Sequence, residues 1–120
     1  MSNLFMFKRD YVFKKRIKES SRLLEKYPER VPVVIERDEN SKHLTIIDKN
    51  KYLVPKDLTM CQLLWVIRKR MHIRKEQTVF LLSEAGILFA GTDHISSVYE
   101  NNKDSDGFLY LRYANENTFG

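Results

Sequence analysis

Apolar and polar positions along this chain fall into blocks whose period changes several times. Between residues 11 and 27 the apolar side chains Phe13, Ile17, Leu24 and Tyr27 recur at i, i+4, i+11 and i+14, which a helix gathers into one narrow stripe. The spacing predicts an amphipathic helix with that stripe turned to the core. It ends at Tyr27-Pro28, because proline disfavours helical geometry in its predecessor. On the same wheel Arg16, Glu19 and Leu23 lie about a quarter turn off the stripe, a flank neither fully buried nor fully exposed. Phe5, Met6 and Phe7 suggest a further short helical turn ahead of it.

The run Val31-Pro32-Val33-Val34-Ile35 is β-branched and apolar on both faces, the signature of a strand in the middle of a sheet. Polar residues 37–42 make a turn, and residues 44–55 read as a second extended segment paired back on the first as an antiparallel hairpin. The next helix has a written start. Thr59 is the N-cap, Gln62 completes a capping box, and Leu58 and Leu63 form a hydrophobic staple. Met60, Leu63, Leu64, Ile67 and Met71 make its core face, with Leu63, Val66 and Arg70 along one edge, while Trp65 points away. A third strand over 78–82, a short extended piece at 87–89, a brief helix over 95–99 and a last strand over 108–113 follow. The tail, 114–120, holds Phe119 as its one core-type residue. Two strands, a crossover helix and further strands describe an α+β chain with the ubiquitin-like β-grasp, in which the first and last strands pair in parallel at the centre. A ferredoxin-like sandwich needs a second long helix, and residues 95–99 are too short for it.

Length and charge narrow the function. With 120 residues and 42% hydrophobic content, the chain holds one core and one domain. No apolar run approaches the length of a membrane span, and the first thirty residues lack the apolar stretch of a secretory signal, so the chain reads as cytoplasmic. The formal net charge is +5, and all of it resides in residues 1–30, which carry nine Lys/Arg against four Asp/Glu. Such asymmetry points to an anionic partner: nucleic acid, phospholipid or acidic peptide. Nucleic-acid binding is weakened by the lack of aromatic interleaving on a sheet face or of a base-reading helix. His43, His72 and His94 stand far apart without ligand spacing, so no metal site is expected. Gly86 and Gly91 form no phosphate-cradling loop, and Cys61, alone in the first turn of a helix, packs against the sheet rather than serving as a nucleophile. No enzymatic activity and no cofactor are expected. The residues favour a binding module with a basic N-terminal face and an apolar groove between helix and sheet.

Several stretches carry a resemblance: Tyr27-Pro28-Glu29-Arg30-Val31-Pro32-Val33, Asp48-Lys49-Asn50-Lys51-Tyr52-Leu53-Val54-Pro55, Asp57-Leu58-Thr59, Ile67-Arg68-Lys69-Arg70, Asp106-Gly107-Phe108-Leu109-Tyr110 and Asn117-Thr118-Phe119-Gly120. In order and spacing, over nearly the whole chain, they resemble the autophagy ubiquitin-like modifiers, the family of GABARAP and the microtubule-associated protein light chains. The resemblance implies a helical extension (1–26) with two added helices, a β-grasp core (27–113) and a conjugation tail (114–120). It implies that Gly120 is activated, passed as a thioester between activating and conjugating enzymes, joined to phosphatidylethanolamine on autophagic membranes, and released by a deconjugating cysteine protease. In many relatives a protease first removes residues beyond this glycine, and the sequence here stops at it. A glycine on an extended tail suits a narrow active site.

The resemblance also implies a groove for cargo receptors carrying an aromatic-x-x-aliphatic motif, bound as an added strand. By position, Glu19, Leu23, Pro32, Lys51, Leu53 and Phe108 match the pocket for the aromatic side chain. Tyr52, Val54, Pro55, Leu58, Leu63 and Val66 match the aliphatic pocket, and Arg30, Lys49, Lys51 and Arg70 are placed to meet flanking acids. Departures from the family pattern are Val12 for a proline, Cys61 for a glycine, Leu63 for a phenylalanine and Ser83-Glu84 for paired asparagines. Leu63 should reshape the aliphatic pocket. The competing expectation is a basic module that is never conjugated and binds nucleic acid, or a membrane or microtubule surface.

Overall fold

The apolar run at 31–35 stands at the centre of the molecule, as its lack of a polar face requires. The computed structural model describes residues 5–115. Its elements are α1 (Met6–Asp10), α2 (Phe13–Lys26), β1 (Arg30–Arg37), β2 (Lys51–Pro55), α3 (Met60–Met71), β3 (Phe80–Ser83), α4 (Ile95–Asn102) and β4 (Leu109–Ala114). The strands form one sheet in the order β2-β1-β4-β3, with β1 and β4 parallel and both outer pairings antiparallel. This is the ubiquitin-like arrangement expected from the element order. Pro32 precedes the first β1–β4 pair, Val33 with Leu109, a position where a missing N–H is tolerated.

Alternation along β1 and β4 divides the interior in two. Val31, Val33, Ile35, Leu109, Leu111 and Tyr113 meet Met60, Leu63, Ile67 and Met71 of α3 and Ile95, Val98 and Tyr99 of α4. Val34, Phe108 and Tyr110 form a second cluster with Phe5, Phe7 and Leu23. The two N-terminal helices thus cover the sheet face that α3 leaves bare. α3 starts as expected, with the Gln62 N–H donating to Thr59 Oγ1 and the Thr59 N–H to Gln62 Oε1.

Several expectations need correction. The stripe of α2 is rotated: Phe13 and Ile17 are 44% and 37% exposed, whereas Leu23, expected on a flank, is buried together with Ser20. The cause lies in the turn before β4. Asp106 is almost wholly buried (1% exposed) and receives Arg16 Nε at 2.7 Å, while Ser20 Oγ donates to the Asp106 carbonyl at 2.6 Å. Gly107, at φ +89°, brings the turn so near that a Cβ there would sit 2.3 Å from Ser20 Oγ. An ion pair and a small side chain, rather than the apolar stripe, decide which face of α2 turns inward.

The second extended segment shrinks to Lys51–Pro55, because residues 38–50 form a loop held by β4. The Tyr113 hydroxyl donates to the Thr45 carbonyl and accepts from the Ile47 N–H. Residues 87–89 supply a single bridge, Leu82 with Leu88. β4 runs through Ala114, which is fully buried. Cys61 is exposed rather than packed on the sheet. Trp65 is exposed as expected, with Lys69 Nζ 5.6 Å from its ring centre.

Candidate functional site

β2 is an edge of the sheet, and the β1–β2 register defines what that edge offers. The Ile35 N–H donates to the Asn50 carbonyl at 2.8 Å, and Val33 and Val31 stand opposite Tyr52 and Val54. In an antiparallel ladder alternate residues bond toward the partner, so the backbone groups of Lys51 and Leu53 turn outward. The Leu53 carbonyl there accepts Arg30 Nη1 at 3.3 Å. No strand pairs with this edge among the described residues.

Side chains alternate as well. Leu53, opposite Pro32, packs on the cluster of Leu23, Phe108 and Phe7. Tyr52 and Val54 belong with the α3-side cluster, together with Leu58 and Leu63. The residues predicted for the aromatic pocket therefore lie on one side of the β2 edge, and Tyr52, Val54, Leu58 and Leu63 of the predicted aliphatic pocket on the other, whereas Pro55 falls by alternation on the side of Lys51 and Leu53 and Val66 joins neither cluster. Leu63 is buried and serves as floor rather than rim, Pro55 is half-buried at the strand end, and Val66 is 46% exposed.

On the α2 side a cleft of about 450 Å³ is lined by Phe7, Tyr11, Glu19 and Lys51, with the basic Lys15, Arg16, Lys18 and Arg22. Glu19 accepts Lys51 Nζ at 2.6 Å and Arg22 Nη2 at 3.1 Å. The Lys51 hydrogen bond is the largest influence on Glu19 and, helped by Arg22, outweighs partial burial, holding its carboxyl below the usual carboxylate value. Lys15 and Lys18 have no ion-pair partner among the described residues. On the α3 side the Tyr52 hydroxyl, pushed up to about 12 by burial, donates to the Lys49 carbonyl at 2.6 Å. Lys49 and Arg70 both lie over the Tyr52 ring, and Arg70 is also tied to Asp48 at 3.0 Å. Of the cations predicted to meet flanking acids, Lys51 and Arg70 thus already carry internal acidic partners. A second cavity, of about 580 Å³ between α1 and the 38–50 loop, contains none of the predicted site residues. Gly120 lies outside the described residues.

Phe7, Tyr11, Lys15 and Lys18 were not singled out by sequence. The available signal was the pair Phe5 and Phe7 ahead of a helix start, an apolar investment too large for a solvated arm. α1 has five residues, too few to be stable alone, and tertiary contacts hold it. The Glu36 carboxylate accepts the Met6 and Phe7 N–H groups at 2.7 and 3.1 Å. Lys8 bridges Asp104 at 2.8 Å and Glu84 at 2.9 Å, which gives the departing residue Glu84 a structural role.

Burial opposes the charge on both Asp104 and Lys8, but their mutual hydrogen bond and further polar partners outweigh it, lowering Asp104 and raising Lys8. Asp104 then contributes docking stability that is complete above the ordinary aspartate value of about 3.9 and is lost as pH falls through its lower folded value. Lys8 contributes below about 10.4 and is lost as pH rises through its raised value. Hydrogen exchange of α1 amides, corrected for intrinsic rates, should show constant protection from about pH 5 to 9 and release only in stronger acid or base. Loosening already near pH 6 would contradict the bridge.

Among the described residues no helix is long and apolar enough to cross a membrane, and no group of His, Cys, Asp and Glu is placed to hold a metal. Residues 15–120 match the family model of the ubiquitin-like autophagy protein Atg8. Autophagy-related protein 8e of Arabidopsis thaliana is 49% identical over 115 residues, covering 96% of this chain and 93% of that protein. Autophagy-related protein 8 of Schizosaccharomyces pombe is 47% identical over 114 residues, covering 95% and 93%. In three dimensions the crystal structure of Trypanosoma brucei ATG8 aligns with a TM-score of 0.89 at 31% identity, over 95% of this chain and 97% of that one. A β-grasp sheet backed by two N-terminal helices, a free β2 edge with a cleft beside it, and these sequence and structural matches together show that the chain belongs to the Atg8 family of ubiquitin-like autophagy proteins.

Proposed function

We propose that this chain is a modifier whose C-terminal carboxyl, at Gly120, is activated, carried as a thioester by activating and conjugating enzymes and transferred to the amine of phosphatidylethanolamine. A deconjugating cysteine protease reverses the link. In this reading residues 1–26 are a docked extension, 27–113 the folded core and 114–120 the tail, and the protein moves between cytoplasm and autophagosomal membrane. Once anchored, it recruits cargo receptors through the groove.

The observation that carries the recruiting role is the β2 edge, with its outward backbone groups and apolar side chains on both faces. Positions i and i+3 of an extended peptide point to opposite faces. A strand added at this edge with an aromatic residue at i and an aliphatic one at i+3 would send the first toward Leu23, Leu53 and Phe108 and the second toward Tyr52, Leu58 and Val66. Acidic residues beside the motif suit Lys15, Lys18, Arg30 and Lys49.

Two experiments test this reading. Intact mass of the protein recovered from membranes is expected to show an added phosphatidylethanolamine, and an unmodified mass in that fraction refutes conjugation. In a titration with an acidic aromatic-x-x-aliphatic peptide, Lys51→Ala with Leu53→Ala is expected to weaken binding several-fold to a hundredfold, since each hot-spot residue is worth about 1 to 3 kcal/mol. Unchanged affinity refutes the groove.

One observation favours a second reading, unconjugated contact of α2 with a membrane surface. Val12, Phe13 and Ile17 are exposed beside Lys14, Lys15 and Lys18, a pattern that suits an anionic interface. The mass measurement separates the two. Nucleic-acid binding loses ground, because Lys8, Arg16 and Arg22 of the basic segment are committed to internal carboxylates.

A further inference from the structure

The aromatic pocket expected from sequence comprises residues of α2, β1, β2 and the turn before β4, and none from α1. The cleft on that side of β2 nevertheless has Phe7 in its lining together with Glu19 and Lys51. The Phe7 ring meets Phe108 edge-on with centroids 4.9 Å apart, and Tyr11 at 5.1 Å. Phe108 itself is fully buried, and Phe7 retains 6% exposure. Of the cluster that joins Phe7 to Leu23, Leu53 and Phe108, Phe7 is the member that lines this cleft beside Glu19 and Lys51, with Phe108 packed behind it. Phe7 is in turn held by docking: the Glu36 carboxylate binds its N–H, and the neighbouring Lys8 is tied to Asp104 and Glu84.

We propose that Phe7 is the inner end wall of the aromatic pocket, so that docked α1 sets the largest ring the groove accepts. The inference rests on the groove reading above and adds to it a determinant of ligand choice. Apolar pockets discriminate by volume, with one methylene's worth of mismatch worth about tenfold or more, and interiors this close-packed do not yield freely. Shortening Phe7 extends the pocket by much of a ring, to the advantage of tryptophan over phenylalanine in the ligand. Enlarging it does the reverse.

The test uses the full chain and two acidic peptides identical except for Trp or Phe at the aromatic position, titrated by calorimetry against wild type and Phe7→Ala, Phe7→Leu and Phe7→Trp. The Trp-to-Phe affinity ratio is expected to rise about tenfold in Phe7→Ala, to rise less in the milder Phe7→Leu, and to fall in Phe7→Trp. General loosening of the fold does not move one ratio in opposite directions. A ratio constant within about twofold across folded variants that still bind overturns the end-wall assignment and leaves the groove standing. Failure of the wild type to bind either peptide overturns the groove itself, and the inference with it.

Discussion

Replacing Asp106 with alanine is expected to cost about 3 to 5 kcal/mol of folding stability, the toll of breaking a buried ion pair from one side. The carboxylate is enclosed, and each of its oxygens is used. Oδ2 receives Arg16 Nε and the Tyr110 hydroxyl, and Oδ1 receives the Phe108 N–H at 2.9 Å. Alanine strands a guanidinium that is 11% exposed and leaves a hydroxyl and an amide without their acceptor. In the native protein burial, and after it the bond to Asp106, push the Tyr110 hydroxyl far above the usual phenol value, so it stays a neutral donor to the carboxylate. Urea unfolding followed by circular dichroism measures the loss. Asp106→Asn, which keeps an acceptor for the Phe108 N–H, should lose less. A loss below about 1 kcal/mol in the alanine variant would show that Arg16 and Asp106 are solvated rather than buried.

Removing Gly120 is expected to abolish lipid conjugation altogether while leaving the fold intact. In the proposed reaction the transferred group is the Gly120 carboxyl, and without the glycine the acyl donor becomes Phe119, whose side chain would have to enter an active site suited to a bare backbone. β4 ends at Ala114 and the Asn115 N–H binds Ser41 Oγ at 3.1 Å, so the deletion lies several residues beyond the last core strand. Electrophoresis after incubation with the conjugating enzymes and phosphatidylethanolamine vesicles reads the result. A lipidated band from the deletion variant would sink the assignment, and retained binding of the groove peptide separates loss of conjugation from loss of structure.

Much of the fold was legible because the features that specify it are local. The two-sided apolar run of β1 and the Thr59–Gln62 capping box each carry their instruction within a few residues. The residues proposed for the two sides of the groove come from the resemblance, and alternation along β2 separates Lys51 and Leu53 from Tyr52 and Val54. Within the 38–50 loop, residues 44–50 were misread as strand because the apolar Leu44 and Ile47 do enter the core. They do so from irregular backbone, with the distant Tyr113 hydroxyl replacing sheet partners. The cations expected to meet ligand acids were chosen by position. Sequence gives no account of Asp48 reaching Arg70 or Glu19 reaching Lys51.

The net charge shows the same division. Its confinement to residues 1–30 is a property of sequence, but which cations remain available depends on acids far along the chain. Local propensity and pattern determined by themselves that this protein is an α+β β-grasp with a basic, helical N-terminal segment. The tertiary structure alone decided which face of α2 turns inward. Hydrophobic periodicity scores Phe13 and Ile17 as core, leaves Arg16 on a flank and gives Ser20 no role, yet Arg16 finds its buried partner 90 residues downstream and Ser20 is the side chain small enough to meet Gly107. A buried charge must go where its counter-charge is, and a close contact admits only what fits. Both conditions depend on the opposite surface, which the order of residues in a single helix does not contain.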